Sequence, residues 1–301
     1  VVIKGGGLLN GLALFAGVAG LDLGVRISIP SARTVCYVEG EAYAASVLVS
    51  QMEKGGLHPA PIWSDVVSFD GRPWRGKVDF ITAGFPCQPW SKAGKLKKTD
   101  DERWLWEDIE RIICEVRPQY LFLENVPGII DGGISHILGS LAKRGFNAEW
   151  GCLKASEIGA NHHRDRAFIF AYCTERGCTL SHYFSDGFFP RWHHDKKSSK
   201  RKSSQRRMEG DKSSIMRESL PNSIGDGFQK QWRPWFSEKA LPSIECYSWW
   251  ETEPSVGRVV DGMANRVDRL RACGNGVVPL QAGVAYSVLI QRAIERGGLI
   301  C

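Results

Sequence analysis

Val78-Asp79-Phe80-Ile81-Thr82-Ala83, followed by Gly84-Phe85-Pro86-Cys87-Gln88-Pro89-Trp90-Ser91, is the stretch on which the fold turns. The first six residues predict a buried strand, and the glycine and prolines after them predict the turn that ends it. A strand that stops in such a turn delivers its loop to the carboxyl edge of a sheet, where open α/β folds bind ligands. Cys87 stands in that loop between Pro86 and Pro89, which restrict the backbone on both sides. A thiol presented in this way is a nucleophile candidate, because the thiolate is the attacking species and needs an accessible polar site. A buried structural cysteine on a tight loop is the competing reading for any single Cys.

Strands and helices alternate on both sides of this stretch. Leu12–Phe15 predicts a first strand, and Ala16-Gly17-Val18-Ala19-Gly20 turns it into an apolar helix. Glycines there let backbone approach a ligand at a helix head, although a tight turn explains two glycines equally well. Thr34–Val38 predicts a second strand running into Glu39, about 20 residues after the glycines, a spacing that suits a ribose-binding acid. Glu39 suits equally the head of the helix expected over 41–54. Ile62-Trp63-Ser64-Asp65-Val66 offers another acid just after an apolar pair.

Beyond Cys87, a helix is predicted over 102–116, with Trp104, Leu105, Ile109, Ile112 and Ile113 inward, and Pro118 ends it. Tyr120–Leu123 predicts a strand running straight into Glu124-Asn125-Val126-Pro127. A helix over 134–143 and a strand over 146–153 come next. Arg164 and Arg166 precede the apolar run 167–171, and their spacing puts them on one face of a strand. They suit an anion or the neutralisation of nearby acids. Five rounds of this alternation predict a doubly wound sheet. Periodicity stops near Cys173 and returns with Arg258-Val259-Val260, Arg269-Leu270, Gly274–Pro279 and a last helix over 280–295.

The chain of 301 residues has room for one large domain or two unequal ones. No stretch is long and apolar enough to cross a membrane, and the start lacks a signal-peptide pattern. A first residue of Val predicts a trimmed beginning. Nine cysteines without close pairing suggest reduced thiols and a cytoplasmic setting. Cys173 and Cys178 are too widely spaced for a zinc couplet, so no metal is expected. Residues 191–212 hold nine Lys/Arg against three Asp/Glu, an excess equal to the whole chain's net +6. Such a localised run suits a polyanion or a solvated loop.

The motifs in their order resemble the cytosine-carbon-5 DNA methyltransferases. Phe15-Ala16-Gly17-Val18-Ala19-Gly20 resembles that family's S-adenosylmethionine loop, with Ala19 where a second glycine is usual. Glu39 corresponds to its ribose acid, Asp65 and Val66 to the pair that holds adenine, and Cys87 to the nucleophile. Glu124-Asn125-Val126 corresponds to its Glu-Asn-Val, and Arg164 and Arg166 to Gln-x-Arg-x-Arg, with His162 in the glutamine's place. Arg269-Leu270 and Gly274-Asn275 correspond to two late motifs that complete the cofactor pocket.

The resemblance implies an α/β fold: a doubly wound, mostly parallel, Rossmann-like methyltransferase domain with a smaller loop-rich target recognition domain. The catalytic domain would span 1–172 plus 258–301, and the recognition domain 173–257. It implies Cys87, Glu124, Arg164 and Arg166 as catalytic residues. Phe15, Ala16, Gly17, Gly20, Glu39, Asp65, Val66, Pro86, Asn275 and Val277 would bind S-adenosylmethionine, with S-adenosylhomocysteine as product. The expected partner is double-stranded DNA, bound by a cytoplasmic monomer of bacterial or phage type without a membrane role. A cognate restriction nuclease would be its companion. Lys92, Lys95, Lys97 and Lys98 suit phosphates or plain solvation, and Trp232, Trp235, Trp249 and Trp250 suit DNA contacts or the core of the smaller domain. Three rival readings stand beside it: a dinucleotide oxidoreductase, which leaves Cys87, Glu124 and the arginine pair unexplained; the family's tRNA-modifying branch; and an inactive DNA-binding relative.

Overall fold

The computed structural model describes residues 7–86, 105–131, 133–173, 266–297 and 299. Seven strands form one sheet: β1 (Leu9–Leu14), β2 (Ala32–Val38), β3 (Ile62–Trp63), β4 (Phe80–Gly84), β5 (Tyr120–Asn125), β6 (Phe146–Lys154) and β7 (Asp165–Cys173). Their order is β3-β2-β1-β4-β5-β7-β6. Strands β1 to β5 pair in parallel, while β7 runs antiparallel to both β5 and β6. From β1 the chain moves outward through β2 and β3, then returns to lay β4 on the other flank of β1. That reversal is the topological switch point, where neighbouring loops diverge and leave a crevice. It falls between the loops after β1 and β4, the two that the sequence singled out.

All six residues of β5 are buried, as a central strand covered on both faces requires. Helices α1 (Gly20–Ser28), α2 (Ala42–Glu53), α3 (Trp106–Val116) and α4 (Gly133–Ala142) connect the strands, and α5 (Arg266–Asn275) and α6 (Pro279–Glu295) close the described chain. In α3 the buried residues Trp106, Ile109, Ile112, Ile113 and Val116 form the i, i+3, i+4 stripe of a helix packed on a sheet. Arg117 stops it in the left-handed region at φ 55°, ahead of Pro118. The predicted helix starts later than expected: Trp106 opens α3 behind Leu105, and residues 102–104, Trp104 included, lie outside the described residues. Helix α5 has no counterpart among the elements expected from sequence, because its charged residues carry no clear apolar stripe.

Helix α6 brings the end of the chain back onto the sheet. Tyr286 sets its ring edge-on to Phe122 of β5 at 4.8 Å and to Phe170 of β7 at 5.5 Å. Helix α1 lies beside α6 so closely that a Cβ on Gly24 would run into Ala282. The Ser28 hydroxyl donates to the Gly283 carbonyl at 2.8 Å across the same contact.

One ionisable residue interrupts the buried face of α1. The Asp22 carboxylate accepts from Thr82 of β4 at 2.8 Å and from Thr34 of β2 at 3.2 Å, tying the helix to two strands. Burial pushes its pKa up from 3.8 to about 6, although the two hydroxyls pull it back. The folded chain therefore holds this proton more tightly than the unfolded chain, so stability is lost as pH rises from about 4 through about 6. Asp22→Asn keeps the acceptor and removes the titration. Relative to wild type, the variant should gain up to about 3 kcal/mol between about pH 4 and pH 7. Urea unfolding at several pH values checks this, and parallel stability profiles would contradict it.

Candidate active site

The loop after β1 doubles back through three left-handed residues, Phe15 at φ 53°, Gly17 at φ 53° and Ala19 at φ 63°. For Phe15 and Ala19 that conformation costs on the order of 1–3 kcal/mol each. Neighbouring hydrogen bonds hold it: Ala16 N–H donates to the Val38 carbonyl at 3.2 Å and Ala19 N–H to the Ala16 carbonyl at 2.8 Å. Ala19 stands where the resemblance leads one to expect glycine, and its methyl is fully buried in a cluster with Tyr37 and Leu48. That burial offsets part of the strain a glycine would avoid.

Glu39 ties this loop to the next one. One carboxylate oxygen accepts from Gly17 N–H at 2.6 Å and the other from Glu41 N–H at 2.7 Å. The acid expected to meet a ribose thus also serves as the clasp between the loops after β1 and β2. The far wall comes from the end of the chain. A Cβ on Gly20 would collide with the Val277 carbonyl oxygen, so the head of α1 sits directly on backbone of the 276–278 segment.

Glu124 occupies the carboxyl end of β5, beside Gly84 in the pairing with β4. It is buried, and Arg166 Nε lies 2.7 Å from its Oε1. Burial raises its pKa from 4.5 to about 6, against the pull of Arg166 and, more weakly, Arg164. Asn125 donates through Nδ2 to the Phe85 carbonyl at 3.3 Å, and the Phe85 ring rests on Trp106 at 5.8 Å. These contacts fix Phe85-Pro86, the last described residues before Cys87. Cys87 itself lies outside the described residues, as do Lys92, Lys95, Lys97 and Lys98 and the whole of 174–265, with the basic run and the four tryptophans.

These pieces enclose a cavity of about 370 Å³, within the range of small-molecule sites. Of the expected residues, Phe15, Gly17, Glu39, Pro86, Glu124, Arg166 and Asn275 line it. Ala16, Gly20 and Val277 line an adjoining crevice of about 30 Å³ behind the loop. Arg164 turns aside to donate to the Gly276 carbonyl. Asp65 and Val66 line neither space. The Asp65 carboxylate caps its own turn, accepting from Val67 and Ser68 N–H at 3.0 and 3.1 Å, and Val66 is buried with its carbonyl held by Arg111 at 2.8 Å.

Five lining residues carry no motif in the sequence: Glu41, Tyr43, Ala44, Asp268 and Ala272. Glu41 and Tyr43 follow Glu39 by two and four residues at the head of α2, a place a ligand on Glu39 would reach. Asp268 and Ala272 are four apart on α5 and so share one helix face. No group of three His, Cys, Asp or Glu among the described residues could hold a metal ion. None of the described helices is long and apolar enough to cross a membrane.

The sequence model of the C-5 cytosine-specific DNA methylases matches residues 9–242. The Type II methyltransferase M.CviJI of Paramecium bursaria Chlorella virus IL3A is 34% identical over 163 residues, 53% of this chain and 42% of that protein. M.NlaX of Neisseria lactamica is 34% identical over 164 residues, covering 53% and 50%. M.NgoMIV of Neisseria gonorrhoeae is 36% identical over 123 residues, covering 38% and 39%. The chain spans two fifths to half the length of these curated relatives. Among solved structures, the Entamoeba histolytica methyltransferase EhMeth is 16% identical with a TM-score of 0.48, covering 60% of this chain and 58% of that one.

The contact between Gly20 and Val277 is open to a direct test. Gly20→Ala forces the Val277 carbonyl away and should cost about 1–3 kcal/mol in urea unfolding. It should also weaken S-adenosylhomocysteine binding by at least about ten-fold in titration calorimetry, the equivalent of 1.4 kcal/mol. Unchanged affinity in a folded variant would show that the wall need not be fixed there.

Proposed function

Because the chain belongs to the C-5 cytosine-specific DNA methylase family, we propose that it methylates carbon 5 of cytosine in duplex DNA, using S-adenosylmethionine. The observation that carries this reading is the buried Glu124–Arg166 pair facing the cavity beside the loop that leads to Cys87. Carbon 5 of cytosine is too weak a nucleophile to react unaided. Cys87 adds as thiolate to carbon 6, which turns the ring into an enamine whose carbon 5 is nucleophilic. Charge would build on the ring as that bond forms, so an acid at the ring nitrogen must give or share a proton.

Glu124 suits that role. Its pKa near 6 keeps the proton within reach close to neutral pH, where an ordinary exposed glutamate would have lost it. Arg166 holds the carboxyl in place through Oε1. Once carbon 5 carries the methyl group, its proton passes to water or another base and the carbon 5–carbon 6 double bond re-forms. Cys87 leaves as thiolate, and the proton shared at the ring nitrogen returns to Glu124. The target base is stacked within a duplex, so it must swing out to reach the cavity.

The residues present suit S-adenosylmethionine, which supplies the electrophilic methyl group. Phe15 and Gly17 would hold it on one side, Glu39 and the neighbouring Glu41 and Tyr43 at the ribose end, and Asn275 on the other. The acidic lining of Glu39, Glu41 and Asp268 suits a cationic ligand. Residues 173–257 would form the target recognition domain, with the 191–212 run at phosphates, and the catalytic domain would be 1–172 plus 258–301. The names of the Type II relatives suit a place in restriction-modification; protection of phage or mobile DNA, a cytoplasmic monomer and a nuclease companion belong to the same proposal.

Transfer of labelled methyl groups to duplex DNA tests the reading. Wild type should place label on carbon 5 of cytosine, Cys87→Ser should place none, and Glu124→Gln should slow transfer by about 10²–10⁴-fold. Label on tRNA alone would move the assignment to RNA. Cofactor bound without transfer to either would favour an inactive DNA-binding module.

A further inference from the structure

Behind the cavity, Gln281 in the first turn of α6 is fully buried, and its amide joins two distant pieces of backbone. Nε2 donates to the Leu153 carbonyl at 2.6 Å and to the Arg164 carbonyl at 2.8 Å. Both partners are acceptors, which fixes the amide with its nitrogen toward them. The Arg164 carbonyl also accepts from Ala155 N–H at 2.9 Å, closing the loop between β6 and β7. From its other end, Arg164 donates to the Gly276 carbonyl. Residue 164 is therefore tied to the 276–281 segment twice, once through its main chain and once through its side chain.

Each end of this double tie leads to a different part of the site. Two residues beyond Arg164, Arg166 grips Glu124. At the other end, Asn275 and Gly276 line the cavity and the Val277 carbonyl abuts Gly20. A displacement of the 275–277 wall thus has a short path to the arginines. Gln281 Oε1 is buried and has no partner among the described residues, a desolvation cost that an apolar residue of the same length would escape. Plain packing does not account for a glutamine kept at that cost. Its two donated bonds do.

We infer that Gln281 is a positioning residue that couples occupancy of the cofactor wall at 275–277 to the pose of Arg164 and, through it, of Arg166 beside Glu124. This rests on the proposed function, in which the cavity takes S-adenosylmethionine and the flipped cytosine. Such coupling is reciprocal, so it can be read from binding alone. The probe is S-adenosylhomocysteine, together with a duplex carrying the sequence that wild type methylates.

In wild type, S-adenosylhomocysteine should strengthen DNA binding by about ten-fold or more, within the usual span of such couplings. Gln281→Met keeps length and bulk but offers no donor. The enhancement should fall to within about two-fold of none, while each ligand alone binds within about three-fold of wild type. Should that variant not fold, Gln281→His retains one ring N–H and should show an intermediate loss. An enhancement retained in full, absent already in wild type, or lost together with S-adenosylhomocysteine binding itself would overturn the assignment. A wild-type chain that methylates no DNA would instead overturn the proposed function.

Discussion

A carboxylate withdrawn from water as far as Glu124, with 7% of its surface exposed, loses more hydration than one arginine at 2.7 Å returns. The raised pKa is the measure of that deficit. A solvated glutamate would be a poor proton donor near neutral pH, and a glutamate buried without Arg166 would be held firmly neutral. The balance between the two suits the proposed role, in which the carboxyl would share a proton with a ring nitrogen. It depends on position as much as on residue type, because Arg166 must arrive from an antiparallel strand at the level of Glu124.

The sheet topology supplies that position. Strand β7 returns against β5 so that the Arg164–Arg166 stretch enters the sheet at the same edge where β1, β4 and β5 end. The switch between β1 and β4 opens the crevice there, and the last described helices come back to wall it. Packing of α6 on Phe122, Phe170 and α1 anchors this return far behind the chemistry. Residues more than a hundred positions apart in the chain thereby form one cavity, and behind it the head of α1 packs on backbone where Gly20 meets the Val277 carbonyl.

What could be read beforehand follows from the range of the interactions involved. The buried strands announced themselves as apolar runs, and α3 by its stripe, since burial leaves a local periodic trace. The order of motifs placed Phe15, Gly17, Glu39, Glu124, Arg166 and Asn275, and all six line the cavity. Asp65 and Val66 were less transparent, because the Asp65 side chain spends its hydrogen bonds on its own turn. Gln281 left no trace in sequence: its partners lie 128 and 117 residues away, and a glutamine at the head of a helix is unremarkable until they are known. Asp22 was hidden likewise among the apolar residues of α1, its purpose set by hydroxyls on two other strands.

The wall of Glu124, Arg166 and Pro86 would serve, in the proposed function, a covalent attack by Cys87 on cytosine. A duplex carrying 5-fluorocytosine at the methylated position tests this most directly, since fluorine cannot leave as the proton does and the adduct persists. Incubated with S-adenosylmethionine, the enzyme should shift in intact mass by that of the DNA, and peptide mapping should place the bond on the Cys87 sulfur. No adduct on DNA whose unfluorinated form is methylated, or a bond at another cysteine, would contradict the account.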